Sequence, residues 1–200
     1  MIHNIFQIPI YGTKLSLDNS AIRSHCLSLT KIDKGRVKTN SGGWQSNNLP
    51  KNEKVLTPFY QGITYHANEF LKRLEFNGDL YLDNIWININ GYKDYNIAHK
   101  HDNAHISGVY YVRTPKNCGN IIFNRPGIDE FTYDWNENHK AFNFWNSATR
   151  WQRAEESMLY LFPGWLNHYV EPNLNRKEKR ISISFNFTLK AIKPPDSEIF

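Results

Sequence analysis

The sequence predicts a mainly β fold with helices at its N-terminal end. Three observations carry this expectation. Aromatic residues make up 14% of the 200 positions and crowd between Tyr81 and Phe187, and such side chains suit pleated, half-buried surfaces. From Leu80 onward, short apolar runs are divided by Asn, Gly, Pro and Asp, the pattern of a sandwich or barrel and not of a parallel α/β sheet. Apolar residues at three- and four-residue steps fall before Gly78.

Taken in order, Ile5 to Ile10 reads as a short strand pushed to a sheet edge by Pro9. Leu15 to Leu29 has helical spacing. Lys38 to Lys54 is polar and rich in Gly, Asn and Ser, so it reads as a loop. From Thr57 to Phe76 the residues Phe59, Ile63, Ala67, Phe70, Leu71 and Leu74 mark one apolar helix face. Strands are expected at Leu80 to Leu82, Ile85 to Ile89, Ile106 to Val112, Ile121 to Phe123, Phe131 to Tyr133, Ala141 to Trp145, Met158 to Phe162 and Ile181 to Leu189. The chain thus reads as one domain: a helical lead-in over about 1–78, a β core over about 79–190, and a surface tail over 191–200.

Composition narrows the function classes. The net charge is +5, but the basic residues are scattered, and the densest cluster, Arg176, Lys177, Lys179 and Arg180, is interrupted by Glu178. That argues against a nucleic-acid stripe and suits a small dicarboxylate. Cys26 and Cys118 match no zinc or redox spacing and read as free thiols. No basic segment precedes an apolar run at the N-terminus, and no stretch nears the roughly 18 apolar residues of a membrane span. A cytoplasmic protein is expected. The oligomeric state stays open, and a homodimer is compatible with the sequence.

Chemistry concentrates in two places. His99 and His101 stand two apart in Asn96 to Asp102, so on a strand both imidazoles face one side and can meet one ion. His168 follows an apolar strand and a Pro163-Gly164 turn, the place from which a later strand would deliver a third ligand. Alone, a His-x-His pair is weak evidence. His105 could join it in a cupin-like set, or could simply start the next strand and bond a neighbour; the second reading is preferred. Twelve residues beyond His168, Arg180 opens a strand whose even positions are Arg180, Ser182, Ser184 and Asn186 and whose odd positions are apolar. Turned inward, Arg180 with Ser182 could grip a carboxylate; turned outward, the same alternation would be an exposed face. Tyr111 shares a face with Val109 and could add its hydroxyl.

The segments GGWQS (42–46), IWININ (85–90), NIAHKH (96–101), SGVYYV (107–112), LFPGWLNHYV (161–170) and RISISFNF (180–187) together resemble a family of 2-oxoglutarate-Fe(II) oxygenases of bacteria and marine phages. More distantly the chain is similar to prolyl hydroxylases. The resemblance spans about Ser41 to Leu189. It implies a double-stranded β-helix (jelly roll, cupin-like), Fe(II), 2-oxoglutarate and O2, and a dioxygenase that couples decarboxylation of 2-oxoglutarate to C–H oxidation. For a phage gene the compartment would be the host cytoplasm. It implies His99 and His168 as iron ligands, Arg180 against the distal carboxylate, and Tyr111 and Ser182 as helpers. The chain departs from the family pattern at one position. An acid is expected two residues after the first histidine, where His101 stands, and Asp102 should face away from a regular strand; the triad could be three histidines, or two with His101 behind them. Trp86, Asn88 and Asn96 are candidates for the substrate pocket, and Gly42-Gly43-Trp44 for a flap carrying Trp44 over it. Two other readings are a metal enzyme without 2-oxoglutarate using His99, His101, His105 and His168, and a non-enzymatic jelly-roll binding module, which would tolerate His99→Ala.

Overall fold

The computed structural model describes residues 7–127 and 140–190. Two antiparallel sheets face each other, and two helices cover the outer face of the larger one. The larger sheet contains β1 (Tyr11–Lys14), β3 (Trp44–Gln45), β4 (Leu80–Asn90), β6 (Ile106–Arg113), β9 (Met158–Pro163) and β11 (Arg180–Leu189), in the order β1-β9-β6-β11-β4-β3. The smaller contains β2 (Asn40–Ser41), β5 (Tyr95–His99), β7 (Ile121–Asn124), β8 (Thr149–Gln152) and β10 (His168–Val170), in the order β2-β5-β10-β7-β8. The helices are α1 (Asn19–Leu29) and α2 (Thr57–Arg73), the latter entered through a 3-10 turn at Lys54–Leu56.

Alternation sorts the side chains into two layers. Ile85, Ile87 and Ile89 of β4, with Ile181, Ile183, Phe185 and Phe187 of β11, join Phe59, Ile63, Ala67 and Phe70 of α2 in one core. The opposite face of the same sheet sends Val109, Tyr111, Tyr160 and Phe162 towards Ile121 and Phe123 of the smaller sheet. The site lies in this second layer, between the sheets. Gly108 lets the first layer close: a Cβ there would lie 2.8 Å from the Leu161 side chain and collide with the Phe185 ring.

Several elements differ from expectation. Of the strand expected at Ile5 to Ile10, residues 7–10 are not in a strand, and pairing begins at Tyr11; Pro9 has no N–H to give a ladder. Helix α1 starts at Asn19, not Leu15, because the Asp18 carboxylate caps it by accepting the Ala21 N–H. The expected loop at 38–54 contains β2 and β3. Gly42 and Gly43, at φ +69° and +66°, make a tight turn that sends β2 to β5 in one sheet and β3 to β4 in the other. The two strands expected at 80–82 and 85–89 are one, β4, whose pairing with β11 shifts register between Asn186 and Phe187. Ala141 to Trp145 is a turn, not a strand: the Asn143 side chain accepts the Trp145 N–H, and the Ser147 N–H bonds the Asn143 carbonyl. Strands β8 and β10 were not anticipated. The strand expected at 131–133 and the tail lie outside the described residues.

Candidate metal centre

The site forms where β5 and β10 pair. His99, the last residue of β5, is the direct cross-strand partner of His168, the first of β10. Their rings lie 4.4 Å apart between centroids. His101 reaches the same point by a different route from the one expected. Strand β5 stops at His99, and His101 stands in the following turn, where its N–H donates to the Gly164 carbonyl at 2.8 Å. Gly164 permits that approach, since a Cβ would collide with the Ala104 carbonyl. The ring of His101 is 5.0 Å from that of His99 and 5.2 Å from that of His168. One ring nitrogen of each histidine lies within 4.8 Å of the others.

The chemistry of these donors fits a divalent transition metal. His99 and His168 each direct Nδ1 at a backbone carbonyl two residues back, Ile97 at 2.7 Å and Leu166 at 2.9 Å. A Nδ1–H donated there leaves the Nε2 lone pair free for a metal. Burial lowers the pKa of all three, His101 to about 4 and His168 to about 3, with the neighbouring imidazoles adding to the effect for these two. They are neutral at pH 7, the protonation state in which imidazole binds metal. Asp102 contributes no ligand: it points outward and pairs with Lys100 at 2.9 Å. His105 is apart from the cluster and its Nδ1 accepts the Leu189 N–H at 3.3 Å.

Further inside lie polar groups without partners. Arg180 is only 1% exposed. Its Nη1 donates to the carbonyls of Cys118 and Glu171, the latter at 2.9 Å, but its Nη2 has no partner. The Tyr111 hydroxyl is also buried and unpartnered. Burial pushes the phenol pKa up, so it stays a donor, while the nearby Arg180 charge opposes the shift. Among the described residues no carboxylate is within ion-pair distance of Arg180. A buried guanidinium and a buried hydroxyl left this way cost stability unless an anionic acceptor meets them.

A pocket runs from the histidines to Tyr111 and Ser182; Arg180 is not part of its wall. Its walls include His99, His101 and His168 at one side and Tyr111, Ser182 and Ser184 at the other, with Trp86, Asn88 and Asn96. Asn88 donates to Ser184 Oγ at 3.2 Å, and its Oδ1 is unpartnered. Trp44 does not line this pocket. It packs against the helix-side core, and its indole N–H donates to the Asp33 carbonyl at 3.0 Å, so the flap expected to carry it over the site is not seen. Asn186 was read only as part of the polar face of its strand and given no role at the site, yet its amide meets His101 Nδ1 at 3.4 Å and is tied to Ser107 and Asn84. Its even position beside Arg180, Ser182 and Ser184 was the available signal.

Two sheets enclosing a histidine cluster and a buried arginine define a jelly-roll oxygenase type of protein. The family model described as "Putative 2OG-Fe(II) oxygenase" matches residues 84–186, just over half of the chain. The chain belongs to this family and is a 2-oxoglutarate- and Fe(II)-dependent dioxygenase. Similar solved structures include a Pseudomonas putida prolyl-4-hydroxylase (TM-score 0.64, 10% identity, 92% of this chain and 94% of that one). Another is the viral collagen prolyl hydroxylase of Paramecium Bursaria Chlorella virus-1 in its 2-oxoglutarate complex (0.55, 12%, 89% and 94%). A third is HygX of Streptomyces hygroscopicus with nickel and 2-oxoglutarate (0.60, 12%, 91% and 83%). No curated protein matches the chain in sequence. No helix among the described residues is long and apolar enough to cross a membrane.

Proposed function

We propose that His99, His101 and His168 hold the iron, that Arg180, Tyr111 and Ser182 hold 2-oxoglutarate, and that the product is a hydroxylated substrate. One observation carries this reading: the unpartnered Arg180 Nη2 and Tyr111 hydroxyl, both buried behind a three-histidine cluster. When bound, iron and 2-oxoglutarate supply the oxidation of a substrate C–H by O2, the 2-oxo acid leaving as succinate and CO2.

The chain's own residues do the positioning. The Ile97 and Leu166 carbonyls fix two imidazole tautomers, so Nε2 of His99 and His168 would be free to hold the ion. Arg180, already held by two carbonyls, offers its remaining N–H groups to the distal carboxylate. Tyr111 and Ser182, cross-strand partners on β6 and β11, stand beside it. Phe162, Val109 and Ile121 exclude water from the pocket that joins both ends. Trp86, Asn88 and Asn96 line its substrate-facing part.

The test is anaerobic addition of Fe(II) with and without 2-oxoglutarate, watching for the visible metal-to-ligand charge-transfer band of the chelate. Wild type should show it and His168→Ala should not. No band in wild type, or an undiminished one in His168→Ala, would refute the assignment.

A further inference from the structure

A second pocket opens on the solvent side of the histidines. It shares Thr39, Trp86, His99 and His101 with the inner one, and its rim carries Arg36, Lys38 and Lys100. Among the described residues no Asp or Glu lines it. Of the carboxylates nearby, Asp102 pairs with Lys100, Asp83 accepts from Asn84, and Asp33 accepts from Gly35 and Asn47 while lying within electrostatic reach of Arg36. Lys100 is thereby paired at the surface and Arg36 is partly offset by Asp33, so Lys38, together with the open Nε of Arg36, supplies the positive charge of the rim.

The floor is also incompletely satisfied. Gln45 is 3% exposed and lines the pocket, and its Oε1 has no donor. Arg36 Nε is buried without an acceptor, although Arg36 Nη2 donates to Asn48 at 2.8 Å. The Arg36 N–H bonds the Gln45 carbonyl at 2.8 Å, so the two side chains are fixed as neighbours. A cation with a spare donor beside an amide with a spare acceptor calls for a ligand that is anionic and also carries a hydrogen-bond donor.

We propose that the primary substrate carries a carboxylate or phosphate, bound by Arg36 and Lys38, next to an N–H or O–H that donates to Gln45, and that this holds its reacting C–H over the histidine cluster. This rests on the assignment of the inner pocket to 2-oxoglutarate.

The test uses protein loaded with Mn(II) and 2-oxoglutarate, so that the inner pocket is filled and no turnover occurs. Three probes are titrated by calorimetry: N-acetylglycine, methyl phosphate, and the neutral N-acetylglycinamide. At least one anion should bind about tenfold more tightly than the amide, and comparing the two anions tells carboxylate from phosphate. Arg36→Gln combined with Lys38→Gln should weaken that anion on the order of tenfold and leave 2-oxoglutarate binding unchanged. Lys38→Gln alone, at an exposed side chain that folding does not need, should give part of the loss. The proposal is overturned if neither anion binds, if the amide binds as well, or if Lys38→Gln and the double variant keep wild-type anion affinity. Wild type that fails to take up 2-oxoglutarate before any probe is added would instead refute the inner-pocket assignment, and the proposal with it.

Discussion

Tyr111→Phe separates a residue that serves the fold from one that serves a ligand. The ring is fully buried, and its hydroxyl meets no partner. Removing the oxygen keeps the packing against Tyr160 and deletes a polar atom whose burial costs about 1–3 kcal/mol. The ligand-free protein should therefore become more stable, by about 1 kcal/mol or more. For a chain of this length that raises Tm by ~2–4 °C per kcal/mol. The ligand should respond with the opposite sign. A hydrogen bond to a carboxylate is worth about 1.5–3 kcal/mol, so 2-oxoglutarate affinity should fall by ~10- to ~150-fold. The assay is denaturant or thermal unfolding of wild type and variant, without ligand and with Mn(II) plus 2-oxoglutarate. Loss of stability in the ligand-free state together with unchanged 2-oxoglutarate affinity would show that the hydroxyl serves the fold, and the reasoning would fail.

Other outcomes follow from the same geometry. Arg180→Lys keeps the charge but loses the fork, and should weaken 2-oxoglutarate ~10-fold or more while sparing metal uptake; equal loss of both, read by calorimetry, would make Arg180 structural. His105→Ala should bind Fe(II) as wild type does, because His105 lies outside the cluster; reduced metal content would revive the four-histidine reading. Metal-free protein should lose stability as pH falls. The unfolded chain protonates histidine near pH 6.5, the folded chain only at about 4 for His101 and about 3 for His168. Below 6.5 the unfolded state therefore binds more protons and is favoured; chelator-treated protein with equal unfolding midpoints at pH 7.5 and 5 would contradict this. Gly108→Ala should cost about 1–3 kcal/mol by driving a methyl into Phe185 and Leu161, visible as a lowered Tm.

The sequence carried the long, strongly patterned elements. Helix α2 and strands β4, β6, β9 and β11 bury one side in the helix-covered core, so alternation or helical spacing was written into them. It carried less where pairing is short. Strands β2, β3 and β10 have only two or three residues each and exist because long strands beside them offer partners, which no local pattern reveals. The site shows the same division. Arg180 and Ser182 stood out because polar residues alternate with apolar ones along β11. His101 was noticed for a spacing that assumed a strand, yet it arrives from a turn held by Gly164, and only the fold shows how. Trp44 was read as a pocket residue from the glycines before it; those glycines instead make a turn that seats the indole against Asp33.

That turn has a wider consequence. The four residues between Asn40 and Gln45 join the smaller sheet to the larger one where Tyr95 and Asn96 open β5, towards the Arg180 end of the layer and away from His99, and the Asp94 side chain lies against both glycines. The gap between the sheets there is limited by the covalent length of a single link as well as by packing. Lengthening the link would loosen the arginine end of the layer without altering a metal-facing side chain, so the fit of the cosubstrate and the iron chemistry are separable quantities in this fold.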